Sequence, residues 1–357
     1  MIWPRHLFSG NTSSHRTVLA FFPAEEDQTA QVRAAALSAG GQRIRLVRGS
    51  ADSRKDVERY AGLVLEGERL LLAEVSAGQA PPLVQALRQV GHTAVFIFPA
   101  QLGQPCPEDV GLGAAEGKAW LSLKESQWLL EAAHTDLSEA LGLGHTPAPA
   151  ASWFLDNAYL IRSHILEIRT DLPREYRRIL AGSGPASSRP RPYGLAQDLI
   201  QRSPGVLDES AIVSHLHDAQ VREPLRIAEL WSYPLFLRMA IIERLAALAT
   251  SVACAQRCRE GAQLWADRLT SSARRGSDEF NRMLARMESE DYAHAPHFLT
   301  VLAEQLQGEE NTFAGVQHWI EELLKQPLTE VVRVEHTREA AESVATAQAF
   351  GSLRLLS

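Results

Sequence analysis

Carboxylate and histidine pairs are the residues of this 357-residue chain whose types and spacing could do chemistry. No Asp-x-Asp pair, the spacing that would hold a diphosphate through a divalent cation, occurs in the sequence. The acidic run 288–291 follows a predicted helix and is typical of a solvated surface. His215 and His217 would point about 200° apart on a helix, and His294 and His297 lack a third ligand at zinc spacing. These patterns predict no metal site and no catalytic residues, although a catalytic triad defined only by geometry stays open.

Two glycine-containing segments could bind an anion. The segment 111–118 resembles a phosphate loop, but it has three residues instead of four between its glycines and an alanine after its lysine. A flexible loop is therefore expected there. Arg48, Gly49 and Ser50 precede a predicted helix N-terminus and form a candidate anion site. Ordinary turn and capping roles for these three residues stay open as the alternative.

Short apolar runs alternate with amphipathic helical runs in the first part of the chain. The predicted strands are 17–22, 43–47, 70–75 and 93–98, and the predicted helices are 28–38, 52–65 and one entered through Pro81 and Pro82. This alternation predicts crossover units and a parallel sheet. The run 94–98 is apolar on both faces, as a sheet covered by helices on both sides requires. Residues 1–141 are therefore predicted to form an α/β doubly wound parallel-sheet domain.

The clearest change in composition lies at residues 142–151. Pro147 and Pro149 cannot continue a helix, so this segment is predicted to be a linker. Beyond it, apolar residues recur with the helical period, which predicts an all-α helical domain over residues 152–357. Pro234 is expected to kink or split the long helix predicted over 228–255.

Charge and composition indicate the partners and the compartment. The chain has 36 basic and 43 acidic residues and a net charge of -7, which argues against a nucleic-acid partner. No stretch approaches the roughly 20 apolar residues of a membrane span. Three cysteines are too few and too unevenly placed for a disulfide framework. A cytoplasmic protein with no transmembrane segment is therefore expected.

Several long segments of the helical part carry a family resemblance. They read WFLDNAYLI at 153–161, RPYGLA at 191–196, PLRIAELW at 224–231 and EHTREAA at 335–341. Together they resemble the region that precedes the membrane-embedded glucosyltransferase domain of cyclic β-1,2-glucan synthases. Ala228 and Pro192 depart from the expected pattern, which indicates a divergent relative.

The resemblance implies a role in glucan synthesis. Full-length members of the family use UDP-glucose, with a divalent cation, to build and cyclise a glucan, and their catalytic domains lie downstream of the similar region. We therefore expect this chain to be the non-catalytic N-terminal portion of a similar glucosyltransferase, without a cofactor of its own. Its partners would be the downstream catalytic domains of the same polypeptide, at the cytoplasmic side of the inner membrane.

Two other functions stay open. The chain could be a stand-alone regulatory or small-ligand-binding module, with an α/β sensor domain and a helical relay domain, or an unrecognised hydrolase or saccharide-processing enzyme. Asp156, Tyr193, Glu229 and Trp231 lie in the family-like segments and could line a saccharide site. Packing within the core is the alternative role for these residues, since buried aromatic side chains with a polar tip commonly find a polar partner.

Overall fold

A computed structural model describes residues 15–48, 58–91, 94–99, 123–142, 147–172, 190–203, 205–290 and 293–356. Up to residue 99 it contains strands β1 (His15–Pro23), β2 (Gln42–Val47), β3 (Glu68–Ser76) and β4 (Ala94–Pro99), and helices α1 (Glu26–Ser38), α2 (Glu58–Ala61) and α3 (Ala80–Gln89). Each predicted strand is present within two residues of its predicted bounds. The predicted loop 111–118 lies outside the described residues.

The four strands form one antiparallel sheet in the order β2-β3-β1-β4. The predicted doubly wound parallel sheet is therefore wrong. The units β1-α1-β2 and β3-α3-β4 do join strands that run in the same direction, but a strand of the other unit lies between them. This is the split β-α-β, or ferredoxin-like, arrangement. It produces the same alternation of strands and helices in sequence as a parallel sheet does.

Both faces of the sheet are buried, as its apolar strands indicate. One face packs against α1 and α3 through a core that includes Val18, Phe22, Leu71, Val75, Val32 and Leu83. The opposite face packs against helices from the second half of the chain. Burial on both faces requires apolar strands but does not fix the direction of those strands, which is why the apolar pattern alone suggested the wrong sheet.

The described residues from 123 onward contain helices and no strand, which confirms the predicted helical part. The helices are α4 (Leu123–Gly142), α5 (Pro149–Asp156), α6 (Ala158–Asp171), α7 (Arg191–Arg202), α8 (Glu209–Arg222), α9 (Ile227–Ala273), α10 (Ser277–Glu288), α11 (Pro296–Leu306), α12 (Glu310–Leu324) and α13 (Leu328–Leu355). Within the part of the chain that the structure describes, none of them is long and apolar enough to cross a bilayer.

Helix α9 is the element around which the others pack. Its 47 residues contact strand β4, helices α4 to α7 and helices α10 to α13. The helix continues through Pro234, so the predicted split at this residue does not occur. A proline removes one backbone hydrogen bond. The tertiary contacts along both sides of α9 offset that loss.

The predicted linker at 142–151 overlaps two helices. Helix α4 ends at Gly142, and helix α5 begins at Pro149, where proline occupies the favoured first turn. Helix α4, which lies almost wholly in the predicted first domain, packs against α9. The domain boundary itself stays a prediction.

A buried charge connects the sheet to helix α9. The Arg268 side chain has 0% relative exposure, and its Nη1 atom donates to Glu68 Oε2 at 2.7 Å. Its guanidinium carbon lies 3.9 Å from the centre of the Phe21 ring, a cation–π contact. Two more residues complete this network. Arg275 lies 3.4 Å from Glu68, and Asp267 forms an ion pair with Arg268. The start of strand β3 is thereby fixed to the C-terminal part of α9.

We predict that Arg268→Met destabilises the chain by about 3 kcal/mol, because Glu68 is left buried beside a weaker partner. The double variant Arg268→Met/Glu68→Leu should recover most of this loss. Urea unfolding monitored by circular dichroism measures the free energy of unfolding of both variants. Arg274→Met is the matched control, since Arg274 is exposed and its pair with Glu309 contributes below about 1 kcal/mol. Equal effects of the two single variants would contradict the role assigned to the buried charge.

Candidate functional site

The first group of charged residues beside α9, here called the acidic cleft, lies where strand β1, helix α4 and helix α9 meet. It is formed by Arg16, Asp136, Glu139, Arg257 and Glu260 and is a small cleft that is partly open to solvent. The buried Arg16 side chain donates to Asp136 at 3.1 Å and to Glu139. Arg257 Nε lies 3.9 Å from Asp136 Oδ2. Three carboxyl groups therefore share two guanidiniums.

Two carboxyl groups of the acidic cleft hold their protons more tightly than usual. Burial raises the pKa of Glu260 to about 7, and the charge of Asp136 adds to this effect. Burial also raises the pKa of Glu139, although the hydrogen bond from Arg16 opposes it. Glu139 Oε1 is buried with no hydrogen-bond partner among the described residues. Carboxyl groups with raised pKa values occur in catalytic sites and in structural ion-pair networks alike.

The second group, here called the His297 cluster, joins helices α9, α11 and α13. Helix α11 begins at Pro296, and His297 follows in its first turn. The Nε2–H group of His297 donates to the Ala255 carbonyl oxygen at 3.0 Å. The other ring nitrogen, Nδ1, lies 2.8 Å from Glu335 Oε1 and 3.5 Å from Glu339 Oε1. The imidazole is thereby fixed between α9 and α13.

Helix α13 supplies the carboxylates of the His297 cluster. Glu335, Glu339 and Glu342 are spaced by four and three residues and therefore lie on one helix face. Arg338 donates through Nε to both oxygens of Glu335, at 2.9 and 3.1 Å, and Arg259 of α9 donates to Glu339. These arginines orient the carboxylates towards His297.

The electrostatics of the cluster keep Glu335 ionised. Burial alone would raise its pKa, but the hydrogen bonds from His297 and Arg338 outweigh burial and hold the pKa at about 2. Glu342 differs, since burial raises its pKa above the usual value.

A second cleft of about 370 Å³ adjoins these groups and is lined by residues 148–151, Gln256, Arg259, Glu339 and Glu342.

Comparisons with known proteins bear on the family resemblance. No family model matches the chain. The chain is similar to the cyclic beta-(1,2)-glucan synthase NdvB of Rhizobium meliloti (strain 1021), with 32% identity over 189 residues. The predicted resemblance is confirmed. The match covers 53% of this chain and 6% of that relative, so the chain spans a small part of the relative's length.

Two of the predicted saccharide-site residues have structural partners. Tyr193 of α7 is fully buried, its hydroxyl donates to the Glu243 carboxylate, and its ring packs 6.0 Å from that of Phe236. Glu229 lies in the first turn of α9, where its carboxylate accepts the Arg226 backbone N–H at 2.8 Å. These contacts are the kind expected if Tyr193 and Glu229 serve in packing and not in saccharide binding.

The other predicted site residues lie at the surface. Trp231 is 82% exposed on α9, and Asp156 is exposed at the end of α5. Arg48 is exposed just after strand β2, whereas Gly49 and Ser50 lie outside the described residues. Binding of a saccharide or of an anion at these residues stays a prediction.

The His297 cluster was missed at the sequence level because its ligand-type groups are far apart in the chain. His297 was considered with His294, and no third ligand lies nearby in sequence. The structure brings Glu335 and Glu339 to it from 38 and 42 positions away. The segment 335–342 carried a signal, because its charged residues recur at helical spacing along one helix face. Two of them, Glu335 and Glu342, are buried in the structure. Charges on a buried helix face require partners.

We predict that Glu260→Gln stabilises the chain at alkaline pH. The folded pKa of about 7 is above the unfolded value near 4.5, so ionisation of Glu260 costs stability progressively as pH rises between these values. The variant should gain on the order of 1–3 kcal/mol at pH 8.5, since one pKa unit corresponds to about 1.4 kcal/mol. The gain should be smaller at pH 5.5 and absent near pH 4. Urea unfolding across this range measures it.

The control for this prediction is Glu288→Gln, which removes a charge from the exposed end of α10. This variant should change the free energy of unfolding by less than about 0.5 kcal/mol at each pH. A pH-independent effect of Glu260→Gln would show that the carboxyl group does not titrate within the cleft as described.

Proposed function

We propose that this chain is the structural, non-catalytic portion of a glucosyltransferase similar to cyclic β-1,2-glucan synthases. The observation that carries the proposal is the similarity to NdvB, which is confined to a small part of that synthase. UDP-glucose and a divalent cation are proposed as requirements of the whole synthase, with no cofactor assigned to this chain. Its place would be the cytoplasmic side of the membrane, beside the catalytic domains of the same polypeptide.

The packing of helix α9 supports a structural role. Two cores meet along this helix: one with helices α4 to α7, and one with the sheet and helices α10 to α13. The N-terminal end of α9 exposes Ile227 and Trp231, two large apolar side chains one turn apart, at 76% and 82% exposure. Exposed aromatic residues are enriched where proteins meet partners. This end of α9 is the surface that we assign to contact with the catalytic domains.

A chimera of NdvB tests the structural role. The 189 matched residues of NdvB are replaced by those of this chain, and cyclic glucan synthesis from UDP-glucose and Mg²⁺ is measured in isolated membranes. We expect synthesis to be retained, because the exchanged segments are 32% identical, and to be lost when the same segment is deleted. Trp231→Ala in the chimera should lower synthesis without lowering the amount of folded protein.

The complementary experiment uses the chain by itself. Purified chain with radiolabelled UDP-glucose and Mg²⁺ or Mn²⁺ should form no glucan. Product that depends on the chain would contradict the non-catalytic assignment. A chimera that is well folded and membrane-associated but inactive would contradict the structural role.

A small-ligand-binding module is the second candidate function. The acidic cleft favours it, because two carboxyl groups with raised pKa values line a small cleft at the junction of sheet and helices.

A further inference from the structure

The tautomer of His297 is fixed by its backbone contact. A carbonyl oxygen only accepts, so the Nε2 atom that lies 3.0 Å from the Ala255 carbonyl must carry a proton. In the neutral imidazole, Nδ1 then presents a lone pair. That lone pair faces two carboxylate oxygens, of Glu335 at 2.8 Å and of Glu339 at 3.5 Å. A cation, either a proton on Nδ1 or a metal ion, must therefore lie between these three atoms.

The charge balance around these three atoms also requires a further positive charge. Glu335, Glu339 and Glu342 carry three negative charges when ionised, and Arg338 and Arg259 carry two positive charges. With a neutral imidazole the group is one positive charge short of balance, and either a proton on His297 Nδ1 or a bound metal ion would supply that charge. Buried ionised groups without compensation are strongly unfavourable.

The contacts beyond these atoms are those of a metal site. A histidine that binds a metal through one ring nitrogen commonly donates the other N–H to a backbone carbonyl, as His297 does to Ala255. Carboxylates that bind metals are in turn held by hydrogen bonds, as Arg338 holds Glu335 and Arg259 holds Glu339. Glu335 Oε1 accepts from Nε and Nη2 of Arg338, and Glu339 Oε1 accepts from Nη2 of Arg259, so a bound metal would share these oxygens with the arginines.

We propose that His297 Nδ1, Glu335 and Glu339 bind a divalent transition-metal ion, with Zn²⁺ as the best match. The three ligand atoms lie within 4.8 Å of one another. One imidazole nitrogen and two carboxylate oxygens suit zinc better than they suit magnesium or calcium, which prefer oxygen ligands alone. This site is independent of the proposed role in glucan synthesis.

The geometry requires a small adjustment when the metal enters. Ligand atoms about 2.0–2.2 Å from a tetrahedral zinc ion lie about 3.3 Å apart. The His297–Glu339 distance of 3.5 Å fits this value, and the His297–Glu335 distance of 2.8 Å must widen by about 0.5 Å. The cleft that Glu339 and Glu342 line adjoins the proposed site. This cleft provides the path of entry and room for a water molecule as the fourth ligand.

The test is zinc binding by the complete chain after removal of metal with a chelator. Isothermal titration with Zn²⁺ should show one ion per chain. His297→Ala and Glu339→Gln should each weaken the affinity at least about tenfold. His294→Ala is the matched control, since His294 is exposed three residues earlier and should leave the affinity unchanged. Glu339 is only partly buried, so its variant keeps the test valid if His297→Ala fails to fold.

Two further measurements identify the occupant. Co²⁺ in place of Zn²⁺ should give a visible absorption spectrum that His297→Ala abolishes. Nitrogen-15 NMR of the histidine rings should show a metal-dependent shift at Nδ1 of His297. A ring protonated on both nitrogens that does not respond to Zn²⁺ would mean that a proton is the cation and would overturn the proposal. Binding of equal affinity in the wild type and in His297→Ala would overturn it as well.

Discussion

The guanidinium of Arg268 lies between the sheet and helix α9 with no exposed surface, and the arrangement of both halves of the chain depends on it. A charge in such a place is costly unless it is paired in good geometry. Glu68 supplies the pair and Phe21 supplies the aromatic face. Sliding α9 along the sheet by one turn would break both contacts. Apolar packing holds the two layers together, and this ionic contact selects their register.

Helix α9 transmits that register to both groups of charged residues. Arg257 and Glu260 of the acidic cleft, and Arg259 and Ala255 of the His297 cluster, lie within six residues of one another on this helix. The partners of these residues come from β1, α4, α11 and α13. Neither group could form from neighbouring residues alone. The acidic cleft depends on elements more than a hundred residues apart in sequence, and the His297 cluster depends on helices whose paired residues lie up to 80 positions apart.

The sequence predicted the elements well and their pairing poorly, for physical reasons. Periodicity reports which face of an element is buried, so the four strands were found within two residues of their bounds, whereas the helix predicted over 228–255 extends to Ala273. Periodicity does not report strand direction, because β1-α1-β2 has the same pattern whether or not β3 lies between its strands. The predicted linker contains the start of α5, since Pro149 marks a helix start as well as a break. Local spacing likewise failed for His297, whose ionic partners lie on another helix.

During synthesis of the chain, the sheet is made before the helices that bury one of its faces. Glu68 and Arg268 are 200 residues apart, and ribosomes add about 5–20 residues each second. Arg268 and the helix that carries it are therefore synthesised roughly 10–40 s after strand β3. Through that interval the sheet face with Leu19, Phe21, Leu70 and Leu72 has no helix of the second half to bury it. The nascent chain thus passes through a period in which an apolar sheet face is open to other chains.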